Sequence, residues 1–133
     1  MIVVDASALA AFILQEPGWE SLASYLKHCC SVDHVVKEVA NAVWRAVRRR
    51  LISVEDAVRK VELMLKLVDT NVVLFNELNL LGRAFEISLS HGITVYDALY
   101  IALAEREGSL LSLDSRQREV AKQLGVELVE VEV

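Results

Sequence analysis

Two short apolar runs each end on an aspartate and pass at once into a helical pattern. Ile2-Val3-Val4 closes on Asp5, and Leu110-Leu111-Ser112-Leu113 closes on Asp114. Runs this short and this uniformly apolar suit strands buried on both faces. Helices that follow them directly suit crossovers in a parallel sheet. In such a sheet the C-terminal strand ends share one edge, where open α/β folds bind their ligands. The chain is thereby constrained to bring Asp5 and Asp114 to the same edge.

The intervening pattern agrees. Ala8 to Leu14 continues the first helix until Pro17-Gly18, and a second helix is predicted from Trp19 to His28. Cys30 to Val32 is a candidate strand. His34 to Arg50 reads as a helix with Val35, Val36, Val39, Ala40, Val43, Trp44 and Val47 on one side. Ser53, with Asp56 three residues on, reads as the N-cap of a helix whose stripe is Val54, Ala57, Val58, Val61, Met64 and Leu65. Asn71 to Phe75 is a predicted strand. Asn76 is expected to cap a helix carrying Leu78, Leu81, Phe85 and Leu89 and ending at Gly92. Ala98 to Ala104 is the most apolar helix and is expected to be buried on most sides, with Gly108 ending it. Ser115 to Leu124 is a last helix. Val129, Val131 and Val133 alternate with Glu130 and Glu132, as in a charge-protected edge strand. The expected fold is one three-layer α/β/α domain over residues 1–133, with a short, mostly parallel sheet of four or five strands.

The chain has 133 residues, 54% hydrophobic and 25% charged, with a net charge of -5. That suits one globular domain with a real core. It excludes a generally basic nucleic-acid binder, though not an enzyme on RNA whose active site is itself acidic. Cys29 and Cys30 are adjacent and have no other cysteine to join, so reduced thiols and a cytoplasmic location are expected. No secretory leader is read at the start, and no apolar run approaches the ~18 residues of a membrane span.

Asp97, near the start of a helix, and Glu38, one turn into another, join Asp5 and Asp114 as candidates. Like charges gathered at a sheet edge are costly unless a cation joins them. Hard oxygen donors suit Mg²⁺ or Mn²⁺, and a metal with an attacking water suits phosphate-ester hydrolysis. Each acid also has a plain structural role. Asp5 and Asp114 can serve as N-caps, Thr94 and Asp97 as a capping box, and Glu38 as a solvated surface residue. Asn41 and Arg45 continue the Glu38 ridge, which could engage a phosphate or simply form an intrahelical contact.

Four segments in order carry a family resemblance: Val3-Val4-Asp5-Ala6-Ser7-Ala8-Leu9; Glu38-Val39-Ala40-Asn41-Ala42-Val43-Trp44; Thr94-Val95-Tyr96-Asp97-Ala98-Leu99-Tyr100-Ile101-Ala102-Leu103-Ala104; and Leu111-Ser112-Leu113-Asp114. Together they resemble the motifs of PIN domains, and most of all those of VapC-type toxins. The resemblance implies a Mg²⁺- or Mn²⁺-dependent ribonuclease acting on RNA, paired with a small antitoxin and forming a homodimer. It carries the metal-binding and catalytic roles to Asp5, Glu38, Asp97 and Asp114. Ser7, Asn41 and Ser112 take the supporting positions, Ser112 standing where the family often has threonine. Some members have a further acid just after the fourth; here Ser115 and Arg116 follow.

Arg45, Arg48, Arg49 and Arg50 form the dense basic run, with Arg45 best placed for phosphate, although a helix C-terminus also favours cations. Surface or loop roles are expected for His28, His34 and His91, and packing roles for Tyr96 and Tyr100. Trp19 and Trp44 are expected in the core or an interface, and the helices between Val35 and Leu67 are a candidate dimer surface. Two rival functions remain open. One is another α/β phosphate enzyme, a phosphatase or an aspartyl phospho-acceptor using Asp5; the other is a binding module without catalysis.

Overall fold

The computed structural model describes residues 1–131. Its strands are β1 (Ile2–Val4), β2 (Cys29–Val32), β3 (Val72–Phe75), β4 (Ser109–Leu111) and β5 (Glu127–Leu128). They form one sheet in the order β3-β2-β1-β4-β5, and every neighbouring pair is parallel. The helices are α1 (Ala6–Leu14), α2 (Val35–Arg48), α3 (Val54–Asn71), α4 (Leu81–His91), α5 (Val95–Glu107) and α6 (Ser115–Gln123). The chain builds outward from β1 through β2 to β3, then returns to the other side of β1 for β4 and β5. Right-handed crossovers put helices on both faces of a sheet wound this way. The order reverses beside β1, so the C-terminal end of β1 lies at the topological switch point.

The core follows from composition. Val3, Val4, Cys29, Cys30, Leu110 and Leu111 are buried from the strands. Every residue from Ala98 to Ala104 is buried, as the sequence of α5 predicts. Burial pushes the Cys29 thiol up to about 11 and the Cys30 thiol to about 12, so both are packing groups rather than nucleophiles.

Several sequence expectations are corrected. The segment after Pro17 is a 3₁₀ helix, Trp19–Leu26, entered through the Ser21 amide donating to the Gly18 carbonyl at 3.1 Å. Asn76 caps a separate 3₁₀ turn, Glu77–Asn79, rather than α4. The apolar stripe expected on this helix faces outward: Leu78, Leu81, Phe85 and Leu89 are exposed, while Leu80, Ala84 and Ile87 are buried. Periodicity identifies a stripe but not its direction when both sides of a helix are apolar. On α2 and α3 the inner faces are Val35, Val39, Val43 and Ala46, and Met64 and Val68. Trp44, Val54, Val58 and Leu65 lie outside. The last strand comprises only Glu127–Leu128, extended by the Val129 amide donating to the Leu110 carbonyl at 2.9 Å. Val129 and Val131 pack on the core; Glu132 and Val133 fall outside the described residues. Among the described residues no single helix is long and apolar enough to cross a membrane.

Candidate active site

Two of the acids are placed by capping. Asp5 is the N-cap of α1 and accepts from the Ala8 amide at 3.0 Å. Asp114 is the N-cap of α6 and accepts from the Gln117 amide at 2.9 Å. The cap role and a functional role are compatible, because a cap uses one carboxylate oxygen and fixes the direction of the other. Ser7 joins the two strand ends. Its hydroxyl donates to Asp5 Oδ1 at 2.7 Å and accepts from the Leu113 amide at 2.9 Å. Ser112 Oγ lies 3.4 Å from Ser7 Oγ and accepts from the Asp114 amide at 3.1 Å. Ser7→Ala removes a charge-assisted hydrogen bond and a backbone partner together. It should lower unfolding free energy by about 1.5–3 kcal/mol, read as a lower urea midpoint. An unchanged midpoint would mean that Ser7 does not join these loops.

The other two acids come from helices. Asp97 sits in the first turn of α5, where its amide donates to Thr94 Oγ1 at 3.1 Å. The Thr94 hydroxyl also lies close enough to the Asp97 carboxylate to draw its pKa down, against the effect of burial. Glu38 sits one turn into α2. The Tyr100 hydroxyl donates to Glu38 Oε1 at 2.9 Å. His34 Nε2 stands 2.7 Å from the same oxygen, a contact that becomes an ion pair only when the ring is protonated. It lacks hydrogen-bond alignment, and neither ring nitrogen has a hydrogen-bond partner among the described residues. Both His34 and Tyr100 are buried.

All four acids, with Ser7, line a single cavity of about 470 Å³. Arg45 and Gln117 lie in its wall. The electrostatics are strained. Burial pushes the Asp5 carboxyl up to about 6, against the pull of Ser112, the Ala8 amide and Ser7. Asp97 is also raised, by burial first and then by Asp114 and Glu38. Burial, then Glu38, raises Tyr100, which stays a neutral donor.

Among the described residues no three acidic, histidine or cysteine side chains are gathered tightly enough to enclose an ion. The donor set nevertheless fits one class of metal. Mg²⁺ keeps several waters and takes one or two carboxylates directly, so it needs a shared acidic cavity rather than a closed cage. All the donors are oxygens, which suits Mg²⁺ or Mn²⁺ over softer metals.

Asn41 is exposed and lines an adjoining cavity with Lys37 and Tyr96, rather than the acidic one. Arg48 lies over the exposed Trp44 ring at 5.9 Å, and Arg49 and Arg50 are exposed at the helix end. Arg118 is structural: it donates to the Ser112 and Val129 carbonyls at 3.1 and 3.2 Å. Three residues near the acids escaped sequence reasoning. His34 is buried beside Glu38 rather than at the surface, and Tyr100 packs in the core as expected but also donates to Glu38. Gln117 is buried with its amide nitrogen unpartnered. Its position one turn after Asp114 was the available signal. Tyr96, expected to pack, is 64% exposed.

The comparisons with known proteins agree with this fold. The chain is similar to Ribonuclease VapC3 of Pyrobaculum aerophilum, 37% identical over 122 residues that cover 89% of this chain and 92% of that protein. The crystal structure of PAE2754 from Pyrobaculum aerophilum has the same fold, with a TM-score of 0.69 at 24% identity over 96% of this chain and 88% of that one. Residues 2–123 match the family model described as the PIN domain, and with four ordered acids in one cavity at the switch point of a parallel sheet, the chain belongs to the PIN-domain family.

Proposed function

We propose that this chain is a Mg²⁺- or Mn²⁺-dependent ribonuclease of the VapC type. It hydrolyses RNA phosphodiesters in the cytoplasm and is the toxin of a pair whose small antitoxin silences it. One observation carries the reading: acids from four separate elements line one cavity, where burial and mutual repulsion raise Asp5 and Asp97. The likeness to a ribonuclease of this family supports the substrate class.

In this reading Asp5, Glu38, Asp97 and Asp114 hold the metal. A bound Mg²⁺ or Mn²⁺ supplies Lewis acidity to the phosphodiester and acidifies the attacking water. The protein's own residues do the rest. Ser7 and Ser112 hold the strand-end carboxylates in place. Tyr100 fixes Glu38 by donating to it. Arg45 neutralises a phosphate at the rim, and the Gln117 amide offers a further donor. The bond pattern of Asp5 disfavours a phospho-acceptor role: the carboxylate is 1% exposed and its Oδ1 is engaged by Ser7 and the Ala8 amide. A binding module gains nothing from burying repelling acids.

Exposed apolar side chains support the partners. Trp44, Leu51, Val54 and Val58 are exposed on α2, α3 and their connection, and Leu78, Leu81, Phe85 and Leu89 are exposed on and just before α4. A homodimer and an antitoxin would cover them. An antitoxin that also offered arginine to the acids would block the metal site.

Incubation of the purified chain with single-stranded RNA tests the activity. Cutting should stop in EDTA and return with Mg²⁺ or Mn²⁺; cutting indifferent to chelation would refute metal dependence. Arg45→Ala should weaken RNA binding about tenfold at low salt and reduce the salt slope by about one. An unchanged slope would remove Arg45 from the phosphate path.

A further inference from the structure

A second cavity, of about 830 Å³, adjoins the acidic one and shares Glu38 and Asp97 with it. The two acids therefore stand between Arg45 on one side and a chamber of different character on the other. That chamber is lined by Tyr96, His34, Lys37, Asn41 and Leu81. Tyr96 is 64% exposed although it lies beside Asp97 in the chain. Its ring is the outermost of an aromatic row. The His34 and Tyr100 centroids are 4.7 Å apart, and His34 and Tyr96 are 6.1 Å apart. His34 is buried with Nδ1 unpartnered. Lys37 and Asn41 are exposed on the α2 side of the same chamber.

We propose that this chamber seats the base of a nucleotide flanking the scissile phosphate, with Tyr96 as its stacking platform. The proposal rests on the ribonuclease reading above and names how that enzyme holds its substrate. An aromatic face recognises any base, which suits a single-stranded RNA whose bases are splayed from one another. The Asn41 amide supplies a donor and an acceptor for a base edge. Lys37 supplies a point charge for the next phosphate. A strand bound this way runs along α2, from Arg45 across the acids to Tyr96.

The test maps the cut on a 5′-labelled single-stranded RNA, then resynthesises that site with an abasic ribose at each flanking nucleotide in turn. Binding in EDTA and cleavage in Mg²⁺ are measured for the wild-type chain, Tyr96→Ala and Tyr96→Phe. Tyr96→Ala should weaken binding about 10- to 100-fold, the range of base–aromatic stacking, and Tyr96→Phe should restore it. One abasic position should cause the same loss in the wild type and little further loss in Tyr96→Ala. Metal-dependent cutting with Tyr96→Ala equal to wild type would overturn the base seat and leave the ribonuclease reading intact. Equal losses at every abasic substrate for wild type and Tyr96→Ala would also overturn it. A wild-type chain that neither binds nor cuts RNA would overturn both.

Discussion

Asp97→Asn is expected to lose RNA cleavage by roughly 1000-fold or more, the several kcal/mol that a metal clamp supplies to the transition state. The fold should survive. Thr94 caps α5 through the main-chain amide of Asp97, which the substitution leaves in place. The lost charge also relieves repulsion from Asp114 and Glu38, two of the causes that raise Asp97. Thermal unfolding of the variant without metal should therefore occur at or above the wild-type temperature. Undiminished cleavage would remove Asp97 from the site. A folded and inactive variant separates chemistry from capping.

The second large effect is a conflict between stability and activity at Asp5. Its folded carboxyl lies at about 6 and its ordinary value is 3.8. The folded protein therefore binds this proton more tightly than the unfolded chain does. The stability Asp5 contributes is fully present below about pH 4 and is lost as pH rises through 6. The loss is about 3 kcal/mol, at 1.36 kcal/mol per unit. Asp5→Asn escapes it, since an amide oxygen can still accept from Ser7 and the Ala8 amide. In EDTA the variant should be increasingly more stable than wild type as pH rises from 4.5 to 7.5, while losing cleavage. Urea unfolding at several pH values checks this, and a pH-independent difference would contradict it. Saturating Mg²⁺ should narrow the gap by stabilising only the chain that binds it.

The sequence carried the strand-end acids because their signal is local. An apolar run, an aspartate and a helix start occupy neighbouring positions, and chain topology gathers the ends. Burial of α5 was equally legible, since Ala98 to Ala104 offers no polar face. What was missed depends on distant pairs. The Tyr100–Glu38 bond joins residues 62 apart, so nothing local marks either side chain as paired. His34 looked like a loop residue and is buried with its ring against that of Tyr100, 66 positions further on. The outward apolar stripe of α4 was missed for the same reason: its direction is set by packing of Ala84 and Ile87, not by its own pattern. Asn41 and Arg45, one turn apart, proved to line different cavities.

The central claim is that these four acids hold the ion with which the chain cuts RNA. The most direct measurement is a Mn²⁺ titration of the purified wild-type chain, followed both by heat of binding and by cleavage of labelled RNA. The account predicts that binding and cleavage saturate over the same range of Mn²⁺. Full cleavage before any Mn²⁺ binds, or Mn²⁺ saturation with no cleavage of any RNA offered, would contradict it.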